Sequence, residues 1–104
     1  MKKTYMHTGI PVTAKMPGMN YMKSLRVWIG YNKDFDIEYL YWEKETPMAY
    51  RGVAETHVAY KVDSVAKACA LKGQSVLLPP FDIGNGHKIA YVSVKNGPVV
   101  EYFE

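Results

Sequence analysis

Hydrophobic and polar positions alternate with period two along much of this chain, and turn-forming residues separate the alternating runs. Residues 5–12 read as a strand. Within it, Gly9 and Pro11 predict a sheet edge or a place where another group approaches the backbone. The segments "SLRVWIGY" (24–31) and "DIEYLYWE" (36–43) are rich in β-branched and aromatic side chains, and "NKDF" between them predicts a hairpin. The intervening "TAKMPGMNYMK" (13–23) has a Pro-Gly pair and no helical period, so a loop with at most one helical turn is expected. "KETPMAYRGVAE" follows as a connection, its centre a joint between two halves.

The second half is more regular. A strand over 57–62 leads into "DSVAKACALKG", where Asp63 or Ser64 can cap a short helix. Val65, Ala68, Cys69 and Lys72 would lie on one side of that helix, and Gly73 would end it. "QSVLLPP" reads as a strand stopped by its prolines, and "DIGNGH" (82–87) as a loop or tight turn. "HKIAYVSV" and "PVVEYFE" predict a hairpin across Asn96-Gly97. This half is β-α-β-β-β. The first half is β-loop-β-β, the same plan without its helix and one strand short.

The halves echo each other in detail. "HTGIPV" (7–12) and "HVAYKV" (57–62) both open on His, while "DIEYLYWE" and "VVEYFE" (99–104) both place Glu before Tyr in an apolar strand. Alternation sets Glu38 on one face with Leu40 and Trp42, and Glu101 on one face with Val99 and Phe103. A buried carboxylate without a partner costs several kcal/mol, roughly, so a cation or a proton is expected beside it. Taken singly, each of these His and Glu residues is more often structural. A pseudo-twofold relation between the halves would bring His7, Glu38, His57 and Glu101 to one place. That N2O2 set suits nickel, cobalt, zinc, manganese or ferrous iron and leaves positions open on an octahedral ion.

The other residues add less. His87, beside "GNG", is expected at the surface. The "GNG" itself lacks the strand-to-helix context of a phosphate loop. Cys69 is the single cysteine, so no intramolecular disulfide or cysteine metal cluster can form, and inert packing is its expected role. Met16, Met19 and Met22 recur every three residues and suit core or cavity lining. Glu104, the last residue, is expected to fray.

Composition sets the class. A length of 104 residues suits one domain with one modest core, and 48% hydrophobic residues with nine tyrosines argue against disorder. The net charge of +3 comes from scattered basic residues, without the stripe a nucleic-acid binder shows, and residues 21–33 are only a weak approach to one. No stretch has the length of a signal-peptide apolar region or a membrane span. A soluble, cytoplasmic protein is expected, with no nucleic-acid or membrane partner.

These motifs resemble the vicinal oxygen chelate superfamily, which includes glyoxalase I, methylmalonyl-CoA epimerase, extradiol dioxygenases and bleomycin- or fosfomycin-resistance proteins. The resemblance rests on "HTGIPV", "DIEYLYWE", "ETHVAYKVDSV" and "GPVVEYFE", and it is strongest over 54–104. It implies an α+β fold of paired βαβββ modules within a single domain over 1–104. Module one, about 4–46, would be shortened and lack its helix; module two would be about 54–104. It places His7, Glu38, His57 and Glu101 on four metal-ligand positions. It further implies a lyase, isomerase or epimerase acting on a small substrate with vicinal oxygens through an enediolate or enolate. Glu101 would be the base and Glu38 its counterpart. A non-catalytic binding or resistance-type protein is the alternative from another class, and a ferrous dioxygenase is a third reading that a fourth ligand would disfavour. Exposed sheet edges predict a homodimer, with the metal site either within one chain or across the dimer.

Overall fold

A computed structural model describes residues 1–48 and 55–104; the centre of the connection expected to join the halves lies outside them. The described residues form one curled, mixed eight-stranded sheet, a half-barrel with one short helix. Its strands are β1 (Lys3–Pro11), β2 (Asn20–Met22), β3 (Val27–Asn32), β4 (Ile37–Trp42), β5 (His57–Val62), β6 (Gln74–Gly84), β7 (His87–Val94) and β8 (Val99–Phe103), with helix α1 (Val65–Cys69) between β5 and β6. The order across the sheet is β2-β3-β4-β1-β5-β8-β7-β6. Outward from the centre, each half therefore runs first strand, fourth, third, second. The pairs β1–β4 and β5–β8 are parallel, and the central β1–β5 pair is antiparallel.

Four expectations are corrected here. The first half lacks a helix but not a strand, because residues 20–22 pair with 27–29 as β2. Instead of a helix, the loop before β2 covers the convex face: Lys15 Nζ lies 4.2 Å from the centre of the Trp28 ring, and Met19 sits over Gly30. Strand β1 is central rather than an edge. Strand β6 continues through Pro79 and Pro80, which is possible because β6 is an edge strand whose register shifts between Leu78 and Phe81, where the missing N–H groups remove no regular ladder bond. Finally, Glu104 is anchored, its backbone exchanging two hydrogen bonds with Lys88 and its Oε1 accepting from Val65 N at 3.0 Å.

The expected hairpins β3–β4 and β7–β8 are present. Asn85 and Gly86 turn the β6–β7 hairpin with φ of 55° and 80°, the pair of positive values that matches strand twist. Helix α1 is only five residues long, so its cap matters: Ser64 Oγ accepts from Lys67 N at 3.2 Å. Ser64→Ala is expected to destabilise the protein by about 1 kcal/mol in urea denaturation; an unchanged midpoint would show that Glu104 alone holds this helix end.

Apolar side chains pack on both faces. On the convex side, Val65 and Ala68 of α1 cover Ala90, Val92 and Val100. On the concave side, Leu25, Val27 and Leu40 of the first half meet Leu78, Ile89 and Tyr91 of the second. Each such Leu, Ile or Val removed from water contributes about 1.5–3 kcal/mol. Thr46 and Met48, both fully buried, close one end, where the Thr46 hydroxyl donates to the Leu25 carbonyl. In β1 the register shifts between Tyr5, paired with Tyr60, and His7, paired with Ala59, leaving Met6 as a bulged extra residue.

Candidate metal centre

Strand register assembles the site. In β4 and β1, Glu38 lies opposite Gly9, and Gly9 lies opposite His57 of β5. On the other side of the seam, Glu101 of β8 lies opposite Ala59, which lies opposite His7. Each carboxylate is flanked in turn by a tyrosine, Tyr31 on β3 and Tyr91 on β7. Two rows cross the sheet in opposite directions, Tyr31–Glu38–Gly9–His57 and Tyr91–Glu101–Ala59–His7. Each row ends on the histidine of the other half.

All four expected ligands are buried, and His57 is fully so. Three of them converge: one ligand atom each from His7, His57 and Glu101 lies within 4.8 Å of the others. Glu101 Oε1 is 2.9 Å from His57 Nε2 and 3.8 Å from His7 Nε2. Glu38 stands one step outside. Its Oε1 is 3.4 Å from His7 Nε2, and its Oε2 accepts a 2.8 Å hydrogen bond from the Tyr31 hydroxyl.

Hydrogen bonding at His57 bears on what this arrangement holds. His57 Nδ1 lies 3.2 Å from the Glu55 carbonyl, to which it can only donate, which leaves Nε2 as the ring nitrogen on the Glu101 side. A buried imidazole nitrogen 2.9 Å from a carboxylate oxygen calls for a proton or a metal ion shared between the two. Neither His7 Nε2 nor His57 Nε2 has a hydrogen-bond partner among the described residues, although Glu101 Oε1 lies near both. Two buried imidazole nitrogens and one carboxylate oxygen of this kind fit a divalent cation.

The electrostatics separate the two carboxylates. Burial pushes the Glu101 carboxyl up, but His57 and His7 outweigh it and hold it down at about 2. Burial dominates at Glu38 and, with the charge of Glu101, raises its carboxyl against the opposing pull of His7 and Tyr31. At His7, burial pulls down while the carboxylates of Glu101 and Glu38 push up and prevail. Tyr91 is raised well above the ordinary phenol by burial and by Glu101, so it stays a neutral hydroxyl.

The tyrosines are the part of the site that the sequence reading missed. Their signal was available: "IGY" at 29–31 and "IAY" at 89–91 repeat like the His and Glu segments. Of the two alternatives that Gly9 predicts, a sheet edge or a close approach, the second holds, and the approaching group is the His57 ring. His87 is exposed, as expected, with its ring 4.8 Å from Phe103. Cys69 lies on α1, its thiol raised by burial, which suits an inert packing role.

A cavity of about 170 Å³ opens beside the two rows. His7, Glu38, Glu101 and the two tyrosines supply its polar wall, and the neighbouring apolar pairs Ile29–Leu40 and Ile89–Phe103 supply much of the rest. Among the described residues no helix is long and apolar enough to cross a membrane. No family model matches the chain, and no curated protein matches it.

Proposed function

We propose that this chain is a shortened, glyoxalase-type vicinal oxygen chelate protein, built as two βαβββ-derived modules with the first lacking its helix. We propose further that it is a divalent-metal-dependent isomerase or lyase for a small substrate with adjacent oxygens. The observation that carries this reading is the pair of orphaned Nε2 atoms gathered beside one carboxylate oxygen. The matching strand order of the halves and the two repeated rows support it.

His7, His57 and Glu101 would hold the ion, whose identity among nickel, cobalt, zinc, manganese and iron is open. When bound, it would polarise the two substrate oxygens and stabilise negative charge building on them. Glu38 carries the proton. Its raised proton affinity, its place beside the three ligands and its Tyr31 hydrogen bond suit it to take a proton from one carbon and return it to the next. The hydroxyl proton passes between the two oxygens, so the isomerisation needs no oxidant. This gives Glu38, rather than Glu101, the base role that the family resemblance suggests for Glu101.

Metal titration of the purified protein tests the reading. One ion per chain is expected, with at least a hundredfold loss of affinity in His57→Ala and Glu101→Gln. Glu38→Gln is expected to retain the ion within about tenfold but to lose deuterium exchange into an α-hydroxyketone. No uptake of any of these metals would sink the enzyme reading and favour a non-catalytic binding protein. The two-histidine, one-carboxylate set also supports ferrous oxygen chemistry. Oxygen uptake by the iron-loaded protein, with no exchange in its absence, would favour that second reading.

A further inference from the structure

We propose that the ligand of this cavity is a free, uncharged α-hydroxyketone or α-diketone with a carbon body about the size of a six-membered ring, and not an adduct with a carrier thiol. The two oxygens rest on the proposed function; the size and apolarity of the body rest on the cavity alone.

The cavity holds about 170 Å³, close to the roughly 150 Å³ space that takes up benzene when lined by aliphatic and aromatic side chains. Its walls divide by strand position. The Tyr–Glu pairs supply the polar side, and one ladder step further along each hairpin stand Ile29 opposite Leu40 and Ile89 opposite Phe103. A two-oxygen head at the carboxylates therefore leaves its carbon body between four apolar side chains. Beyond them, Val27 and Trp42 continue the apolar wall.

The cavity is bounded on one side, where Ser24 Oγ, between β2 and β3, donates to the Ile83 carbonyl of β6 at 3.4 Å, with Leu25 and Ile83 both lining the space. Among the described lining residues there is no lysine or arginine. The carboxylates of a tripeptide thiol or the phosphates of a nucleotide thiol would lose water there without meeting a cation. A neutral ring-sized body fills the space without that loss.

The test uses the full chain with Trp28→Phe, which leaves Trp42 in the cavity wall as the reporting indole. Metal-free protein is titrated with benzene and with naphthalene. A saturable change in Trp42 emission is expected, at least tenfold tighter for benzene. No saturable binding of benzene, or naphthalene binding as tightly, would overturn the size limit without depending on any variant designed to fill the cavity. Metal-loaded protein is then melted with 2-hydroxycyclohexanone or with the glutathione hemithioacetal of phenylglyoxal. A rise in melting temperature with the first and none with the second is expected; the reverse would overturn the carrier-free ligand. Failure of the function reading looks different, as absent metal uptake in a chain that still binds benzene.

Discussion

Gly9→Ala is expected to lower metal affinity about a hundredfold, an effect usual for removing the support of a ligand. A methyl group there would overlap Cε1 and Nε2 of the His57 ring and lie 2.7 Å from Nδ1. The ring is held from two sides. Tyr91 packs edge-on against it at 5.3 Å between centroids, and His7 stands at 5.9 Å. Either the strands shift, at a cost of about 1–3 kcal/mol, or His57 rotates out of the cluster. Gly30→Ala is the control, because an added Cβ meets only the flexible Met19 side chain at 3.4 Å. Calorimetric titration of both variants separates a general penalty on strand glycines from one specific to position 9. Unaltered affinity together with unaltered stability in Gly9→Ala would refute the close approach of the His57 ring to position 9, whereas unaltered affinity with a stability loss would mean that the strands, not His57, give way.

In metal-free protein at pH 7, Glu101→Gln and Glu38→Gln are expected to change stability in opposite directions. A carboxyl lowered from 4.5 to about 2 corresponds to ~3 kcal/mol of stabilisation, so Glu101→Gln loses up to that amount. That contribution is complete above pH 4.5 and disappears as pH falls through about 2. The Glu38 carboxyl is raised instead, so the folded chain binds its proton more tightly than the unfolded chain does. Ionised Glu38 therefore subtracts stability as pH rises past its ordinary value, and Glu38→Gln removes that penalty. His7 is also raised, and its imidazolium adds stability below pH 6.5 that is lost as pH climbs through its folded value. Urea denaturation between pH 3 and 8 in the presence of a chelator measures all three effects. A Glu101→Gln protein as stable as the parent would refute this division of the carboxylates.

The sequence made four site residues legible because each sits in a strand whose alternation fixes its face, and because His and Glu are conspicuous among apolar neighbours. The hairpins were legible for the same reason, with Asn-Gly or charged turns between alternating runs. What escaped reading depends on pairing between strands. Strand β2 has only three residues and no alternation to detect, and it exists because β3 offers it an edge. The prolines of β6 read as stops, yet at an edge with a shifted register they interrupt nothing. Glu38 stands apart from the His7, His57 and Glu101 cluster and accepts a hydrogen bond from Tyr31 across the hairpin, a contact that no local pattern in β4 encodes.

The bulge at Met6 has a consequence for how such a cavity can change size. Met6 and His7 are consecutive, yet both line the cavity, while Tyr5 keeps its pairing with Tyr60 and His7 keeps its pairing with Ala59. Met6 is thus surplus to the ladder. Loss of its single codon would let β1 close into an unbroken strand, with Tyr5 and His7 still opposite the same partners. The binding space would lose one wall side chain while every residue of the two rows kept its place, so an indel, rather than a substitution, could widen the range of molecules admitted.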